Sequence, residues 1–180
     1  MHKISFVIPC YGSETTIEIV VSEIIETLRQ RPQYDYEIVL VNDCSPDHVW
    51  ERIRVLALGN SHITGINLAK NFGQHAALMA GYRQCTGDLV ISLDDDGQTP
   101  AGELFTLVDK IGEGWDVVYA SYEHKMHSGF RNFGTWMNER MTESLIGKPK
   151  GLKVTSYFVM QRFIAEEILH SVGHDRSGGL

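Results

Sequence analysis

Three consecutive carboxylates, Asp94-Asp95-Asp96, follow an apolar stretch, Leu89–Leu93, that is predicted to be a buried strand. Adjacent negative charges repel one another and lose hydration when they are packed without a partner, so a cation is expected beside them. Carboxylate oxygens and the side-chain carbonyl of Gln98 favour Mg²⁺ or Mn²⁺ over Zn²⁺. The cluster therefore predicts a divalent-cation site, and a solvated acidic turn is the alternative that these residues alone leave open.

The spacing within this acidic cluster suggests a division of roles. Asp96 and Gln98 are two residues apart and can face the same way from an extended segment. Asp96 is therefore expected to hold the cation and the pyrophosphate, with Gln98 and Asp94 in support, while Asp95 faces away and is expected near a ribose. A cation held there would stabilise the charge on a departing diphosphate, which makes Asp96 and Asp94 the predicted catalytic carboxylates.

Three further polar clusters follow predicted strands. After the first strand, Pro9–Glu14 enters a helix whose N-terminus can receive an anionic group, and the ring of Tyr11 can stack on a flat base. After the second strand, Asp43 can accept a hydrogen bond from a nucleobase. After the third, Lys70 and Gln74 offer a cation and an amide to a phosphate or a base. Each cluster taken alone could instead be an ordinary loop, a helix cap or a solvated lysine.

Apolar runs alternate with segments of helical period, which predicts one α/β domain with a mostly parallel sheet and crossover helices. Ligands bind such sheets at the carboxyl ends of the strands, so the four clusters are expected to meet there. The predicted strands are residues 4–9, 37–41, 63–68, 89–93, 117–121 and 154–160. The predicted helices are residues 13–28 capped by Ser13, 45–58 capped by Ser45, 72–85 with small residues that allow close packing, 99–111 capped by Thr99, 136–146 and 163–170.

A polar stretch, residues 123–134, is predicted to be a loop. Its His124 and His127 are three residues apart, but no third ligand accompanies them, so zinc binding is not favoured. Lys125 and Arg131 are interpreted instead as phosphate-binding cations, and Arg131 is counted among the predicted catalytic groups.

The composition excludes several classes of function. With 180 residues, 43% of them hydrophobic, the chain can form one domain with a substantial core. A formal net charge of −7 and a pI near 5.6, without a basic stripe, argue against a nucleic-acid partner. Cys10, Cys44 and Cys85 have no paired spacing and indicate reduced thiols in a cytoplasmic setting. The sequence has no run of about 18 apolar residues that could cross a membrane.

Taken in order, the clusters resemble the family 2 glycosyltransferases, which have the GT-A fold. The resemblance covers nearly the whole chain, and the matching segments are Val7–Tyr11 with Glu14, Glu37–Asp47, Asn71-Phe72-Gly73, Gly87-Asp88 and the acidic cluster. Within that family, the chain is similar to the branch that glycosylates polyprenyl phosphates such as dolichyl and undecaprenyl phosphate. The segments that carry this similarity are Asp94-x-Asp96-x-Gln98 and residues 119–131, including Ser128-Gly129-Phe130-Arg131.

The resemblance implies a donor, a cofactor and roles for residues. The donor would be a UDP- or GDP-linked sugar, the cofactor Mg²⁺ or Mn²⁺, and the acceptor a polyprenyl phosphate. Pro9, Tyr11, Glu14, Asp43, Asp95 and Asp96 would hold the nucleotide, Asp94, Asp96 and Gln98 the metal, and Lys125 and Arg131 the phosphates.

The resemblance also implies how the chain is organised. Residues 1–121 would form the nucleotide-sugar part of one catalytic domain and residues 122–180 its acceptor side. Because Ser177-Gly178-Gly179-Leu180 is not the usual end of an element, we interpret the chain as a piece of a longer protein. That protein would continue into a membrane region and work at the cytoplasmic face of the membrane.

An acceptor phosphate would simplify the chemistry. It is ionised at pH 7, so its oxygen can attack the anomeric carbon without a general base and invert its configuration, whereas a sugar hydroxyl needs a carboxylate base. Asp175 is the late candidate for such a base. Two positions depart from the family pattern, since Asn42 and Ser156 stand where many members have Asp.

Two other functions remain open from the sequence. One is a family 2 transferase with a saccharide or protein acceptor, and the other is a nucleotide-sugar binding module without turnover. A Rossmann dehydrogenase is disfavoured because no G-x-G-x-x-G follows the first strand. A phosphatase with an aspartyl nucleophile would leave the clusters at the other strand ends unexplained.

Overall fold

The computed structural model describes residues 3–97, 101–120 and 156–174. The strands in these ranges are β1 (Lys3–Cys10), β2 (Asp35–Asn42), β3 (Ile63–Asn67), β4 (Leu89–Ser92), β5 (Val117–Tyr119) and β6 (Phe158–Gln161). The α-helices are α1 (Ile17–Leu28), α2 (Val49–Gly59), α3 (Gln74–Tyr82), α4 (Leu104–Ile111) and α5 (Arg162–His174), and a 3-10 turn spans Ala101–Glu103.

The strands form one sheet in the order β3-β2-β1-β4-β6-β5. β1 is parallel to β2 and to β4, and β2 is parallel to β3, which confirms the predicted α/β fold with a mostly parallel sheet. β6 lies between β4 and β5 and is antiparallel to both. Cys10 is opposite Asn42, and Asn42 is opposite Asn67, so β1, β2 and β3 end at the same edge. The polar segments that follow these strands are therefore neighbours.

Side-chain alternation along β1 separates two apolar layers. Phe6 and Ile8 belong to a core cluster with residues of α1, α2 and α4, whereas Val7 belongs to a cluster with residues of α3 and α5. Helices thus cover both faces of the sheet, which is why the central strands are apolar along their whole length. The predicted apolar face of α1 is buried, with Ile17, Val20, Val21, Ile24 and Leu28 in the core.

The predicted start of α1 at Ser13 is wrong. The helix begins at Ile17, and Thr16 occupies the N-cap position. The carbonyl of Ser13 accepts hydrogen bonds from the backbone N–H groups of Thr16 and Ile17 at 3.1 and 3.0 Å. Residues 13–16 therefore form a turn that lengthens the loop between β1 and α1.

The predicted start of α2 at Ser45 is also wrong, because the helix begins at Val49. The Ser45 hydroxyl is engaged within the loop, where it donates to Asp47 Oδ1 at 2.6 Å. Asp47 Oδ1 also accepts from the backbone N–H of Val49 at 3.2 Å. Asp47 rather than Ser45 therefore supports the first turn of α2.

α3 is shorter than predicted but packs as closely as its small residues suggested. Gly73, at the N-cap, has a φ of 89°, a conformation that favours glycine and prevents the helix from starting at Phe72. A Cβ atom on Gly81 would lie 2.3 Å from Val7 Cγ1 and 3.4 Å from Val41 Cγ2. The helix therefore lies directly against β1 and β2.

Several predicted features lie outside the described residues. These are Gln98, the Thr99-Pro100 helix start, the loop with Lys125 and Arg131, the helix at 136–146, the first part of the strand at 154–160, and Asp175. Within the ranges that are described, no helix combines the length and the apolar character needed to cross a membrane.

Candidate functional site

A cavity of about 340 Å³ opens at the carboxyl ends of β1, β2 and β4. Its walls bring together residues from all four polar clusters, as the position of these clusters after their strands predicts. The lining residues are Pro9, Cys10, Tyr11, Asp43, Asn71, Gly73, Gln74, Asp94, Asp95 and Asp96. Most of the predicted nucleotide-binding residues thus share one cavity, together with Asn71 from the polar cluster after β3.

Asp43 is buried at the end of β2 and fixes the neighbouring loop. Its Oδ1 accepts a hydrogen bond from the backbone N–H of Phe72, and its Oδ2 accepts one from Gly73, both at 2.8 Å. A carboxylate oxygen has two lone pairs, so each oxygen can accept a second hydrogen bond from a ligand in the cavity.

Asp95 ties the acidic cluster to the loop after β1. Its Oδ2 accepts a hydrogen bond from the backbone N–H of Tyr11 at 2.9 Å, and its carbonyl accepts one from the Thr16 hydroxyl at 2.5 Å. Burial raises the pKa of Asp95 above its usual value. Tyr11 is 54% exposed and lines the cavity, so its side chain is accessible to a ligand.

Asp94 has a side-chain donor on each carboxylate oxygen. Gln74 Nε2 donates to Oδ1 at 3.2 Å, and the Ser156 hydroxyl donates to Oδ2 at 2.6 Å. Burial, together with the negative charges of Asp96 and Asp95, raises the pKa of Asp94 to about 7 despite these two hydrogen bonds. A positive ligand beside Asp94 would relieve this unfavourable charge.

Asp96 is more exposed than Asp94 and Asp95 and faces the same cavity. Among the described residues, no group of three or more His, Cys, Asp or Glu side chains is arranged to hold a metal ion. Mg²⁺ is usually bound by one or two carboxylates together with substrate phosphates and water, rather than by a cage of protein ligands. The oxygen donors of Asp94 and Asp96 therefore fit a cation that is shared with a diphosphate.

Two predicted nucleotide-binding residues do not line the cavity. Glu14 Oε2 accepts a hydrogen bond from the backbone N–H of His48 at 2.8 Å, so its carboxylate joins the loop after β1 to the start of α2. Lys70 is exposed, and its Nζ lies 4.9 Å from the centroid of the Phe72 ring. Their assignment to the nucleotide remains a prediction. The metal-binding role of Gln98 and the phosphate-binding roles of Lys125 and Arg131 also remain predictions, because these residues lie outside the described ranges.

Hydrogen bonds join the loop after β1 to the loop after β2, beside the cavity. The backbone N–H of Gly12 donates to Ser45 Oγ at 2.8 Å, and that of Glu14 donates to Asp47 Oδ2 at 2.9 Å. Burial opposes ionisation of Asp47, but hydrogen bonds from Ser45 and from the backbones of Glu14 and Val49 lower its pKa below the usual value. This positioning role was not predicted, because a loop acidic residue gives no indication of partners about 30 residues away.

Comparison with known proteins identifies the family. Residues 5–169 match the protein family described as "Glycosyl transferase family 2". The chain belongs to this family. The matched residues include nearly all of the described strands and the residues that line the cavity. The match confirms the resemblance that the motifs indicated.

Two relatives of this family 2 chain have the same name. An undecaprenyl-phosphate 4-deoxy-4-formamido-L-arabinose transferase from Yersinia enterocolitica is 37% identical over 178 residues, which is 98% of this chain and 54% of the relative. A protein of the same name from Proteus mirabilis is 34% identical over 180 residues, with the same shares of 98% and 54%. The chain thus spans about half the length of these relatives.

Solved structures support the fold. The mannosyltransferase PcManGT from Pyrobaculum calidifontis, in complex with GDP-Man and Mn²⁺, superposes with a TM-score of 0.67 at 21% identity, covering 92% of this chain and 46% of that protein. Glucosyl-3-phosphoglycerate synthase from Mycobacterium tuberculosis, with Mn²⁺ and UDP-glucose, gives a TM-score of 0.60 at 20% identity, covering 91% and 57%. At these identities the comparison establishes the fold alone.

Proposed function

We propose that this family 2 chain is the catalytic domain of an inverting transferase that moves a sugar from a nucleoside diphosphate to a polyprenyl phosphate. The observation that carries the proposal is the cavity, in which an exposed aromatic ring, a buried base-reading carboxylate and an acidic cluster face one another. The names of the Yersinia and Proteus relatives support a polyprenyl-phosphate acceptor.

The nucleotide of the donor would occupy the strand ends. Its base would stack on Tyr11 and donate a hydrogen bond to Asp43, whose oxygens each keep a lone pair after binding the backbone of residues 72 and 73. Asp95, held by the Tyr11 backbone, would accept a hydrogen bond from a ribose hydroxyl through its other oxygen. Pro9 and Gln74 line the same cavity and would contact the nucleotide, which would be UDP or GDP.

The diphosphate would lie beside the acidic cluster. Asp96 and Asp94, with Gln98, would hold Mg²⁺ or Mn²⁺, which supplies electrostatic stabilisation of the leaving diphosphate. Without a cation, the carboxylates of residues 94–96 would repel the phosphates, since all of these groups carry negative charge. Lys125 and Arg131 are proposed as further phosphate-binding cations.

The acceptor would supply its own nucleophile. A phosphate monoester is ionised at neutral pH, and one of its oxygens would attack the anomeric carbon while the bond from that carbon to the diphosphate breaks. The bonding electrons leave with the diphosphate, and the configuration at the anomeric carbon inverts. Ser156 stands where many family members have an acid, and its hydroxyl donates a hydrogen bond to Asp94. Because the acceptor phosphate is already ionised, no base is required at this position.

The acceptor class also determines where the reaction would occur. A polyprenyl phosphate is a membrane lipid whose phosphate lies at the membrane surface, whereas nucleotide sugars are water-soluble. The cavity would therefore operate at the cytoplasmic face of a membrane.

A transfer assay with matched acceptors tests this function. The chain is incubated with radiolabelled UDP- and GDP-sugars, Mn²⁺ and either undecaprenyl phosphate or undecaprenol in detergent. We expect label to enter the lipid only when the phosphate is present, because undecaprenol lacks an ionised oxygen. Equal labelling of both lipids, or of neither, would contradict the proposal.

A further inference from the structure

Ser156, which stands where many family members have Asp, makes a contact that the sequence did not predict. It is 7% exposed, and its hydroxyl donates to Asp94 Oδ2 at 2.6 Å. Gln74, at the start of α3, donates to the other oxygen of the same carboxylate at 3.2 Å. The two oxygens of Asp94 are thus held by side chains from two different parts of the chain, the start of α3 and the residues just before β6.

The sheet register explains why this contact forms. β6 runs antiparallel to β4 with Leu89 opposite Gln161 and Ser92 opposite Phe158. Extending this register by two residues places Asp94 directly opposite Ser156. In such a pair the Cβ atoms are about 4.5–5.5 Å apart, a separation that a short hydroxyl and a carboxylate can bridge.

We propose that Ser156 is a positioning residue for the proposed transfer: its hydroxyl, with Gln74, fixes the Asp94 carboxylate so that Asp94 can bind the cation that the donor diphosphate carries. The inference rests on the proposed function, since it concerns how one carboxylate of that site is oriented. Each oxygen of Asp94 keeps a lone pair that is not used by Gln74 or Ser156. Hydrogen bonds to both oxygens restrain rotation of the carboxylate, so those lone pairs favour one direction.

The identity of residue 156 matters for charge as well as for orientation. The Ser156 hydroxyl donates a hydrogen bond and brings no charge, so it adds no negative group beside Asp94. An aspartate at position 156 would place a second carboxylate within hydrogen-bond distance of Asp94, and the two groups would share a proton instead of both ionising. Ser156→Asp is therefore expected to impair cation binding more than Ser156→Ala.

A double-mutant cycle separates positioning from simple packing. Calorimetric titrations with UDP and with GDP, each with and without MnCl₂, are made on the wild type, Ser156→Ala, Asp94→Asn and the double variant. We expect Ser156→Ala to weaken Mn²⁺-dependent nucleotide affinity about tenfold, because a hydrogen bond to a charged group is lost. Affinity without Mn²⁺ should not change, and Ser156→Ala should cause no further loss when Asp94→Asn is already present.

The matched control is Ser171→Ala, whose hydroxyl donates to the Ile168 carbonyl within α5 at 2.8 Å and should leave both affinities unchanged. The inference is overturned if Ser156→Ala binds like the wild type in Mn²⁺, if its loss is as large without Mn²⁺, or if its loss adds fully to that of Asp94→Asn. If the wild type binds a nucleotide, none of these three outcomes contradicts the proposed function. A wild type that binds neither UDP nor GDP would contradict the proposed function and this inference together.

Discussion

At the scale of single residues, Asp94 should set the response of the site to pH. Burial, with its acidic neighbours, raises its pKa to about 7, so below that pH the group holds a proton and loses the charge that a cation needs. We expect Mn²⁺-dependent nucleotide affinity to fall as the pH is lowered from 8 to 6, approaching about tenfold per pH unit below the pKa. Calorimetric titration across this range measures the slope.

Asp94→Asn is the control for this pH profile. An amide does not titrate in this range, so the variant should bind more weakly at pH 8 and show a smaller pH dependence than the wild type. The explanation would be wrong if the wild type gave a flat profile, or if Asp94→Asn retained the full slope, since the slope would then come from another group such as the nucleotide phosphate.

The identity of the site residues could be predicted from the sequence more readily than their partners. Polar side chains directly after apolar strands indicate the ligand-binding edge of an α/β sheet, and Asp43, Asp94 and Asp95 line the cavity there. Glu14 has the same kind of position, yet its carboxylate binds the backbone of His48. That contact depends on how two loops meet in space, which a sequence pattern does not contain.

At the scale of elements, the close packing of α3 on the sheet leads to a stability prediction. Gly81→Ala would place a Cβ atom 2.3 Å from Val7 Cγ1, and Val7 is fixed in β1. We expect the free energy of unfolding to fall by about 1–3 kcal/mol from overpacking, although alanine is the better helix former by about 1 kcal/mol. Urea denaturation of the two proteins measures the difference.

Gly59→Ala is the matched control, because Gly59 ends α2 and a Cβ atom there would have no neighbour within 4 Å. Its free energy of unfolding should equal that of the wild type or exceed it by up to about 1 kcal/mol, because alanine is the better helix former. Equal stability of Gly81→Ala and the wild type would show that α3 does not lie as close to β1 as described.

Apolar periodicity predicted the main elements, and side-chain hydrogen bonds in the loops displaced their ends. The strands β1 and β2 and the buried face of α1 follow directly from buried apolar positions. The start of α2 does not follow from the pattern, because the Ser45 hydroxyl is hydrogen-bonded to Asp47 and to the backbone of Gly12 instead of capping the helix. Cap preferences describe isolated helix ends, and here the loop after β1 competes for the same hydroxyl.

At the scale of the whole molecule, the direction of β6 was not predicted, and it is central to the site. Alternating strands and helices predict parallel pairing, whereas β6 runs antiparallel between β4 and β5. That direction places Ser156 opposite Asp94 and puts the backbone N–H of Ala120 at 2.9 Å from the Tyr157 carbonyl. Strand direction depends on contacts between distant parts of the chain, which local periodicity does not encode.

The charge balance of the molecule is consistent with a cation-dependent site. The chain carries a formal net charge of −7, so a diphosphate approaches an overall negative protein. In the proposed arrangement, residues 1–121 hold the nucleotide sugar and residues 122–180 form the acceptor side. A divalent ion beside residues 94–96 would then reverse the local repulsion where the diphosphate must lie.

Calorimetric titration of the chain with UDP and GDP, each with and without MnCl₂, shows whether the strand ends form a cation-dependent nucleotide site. We expect one nucleotide to bind with Mn²⁺-enhanced affinity, and Asp96→Ala to reduce that enhancement at least about tenfold, because it removes a charged ligand. Glu23→Ala, an exposed carboxylate on α1 away from the cavity lining, should bind like the wild type. If neither nucleotide binds, or if Asp96→Ala has the same Mn²⁺-dependent affinity as the wild type, residues 94–96 do not form such a site.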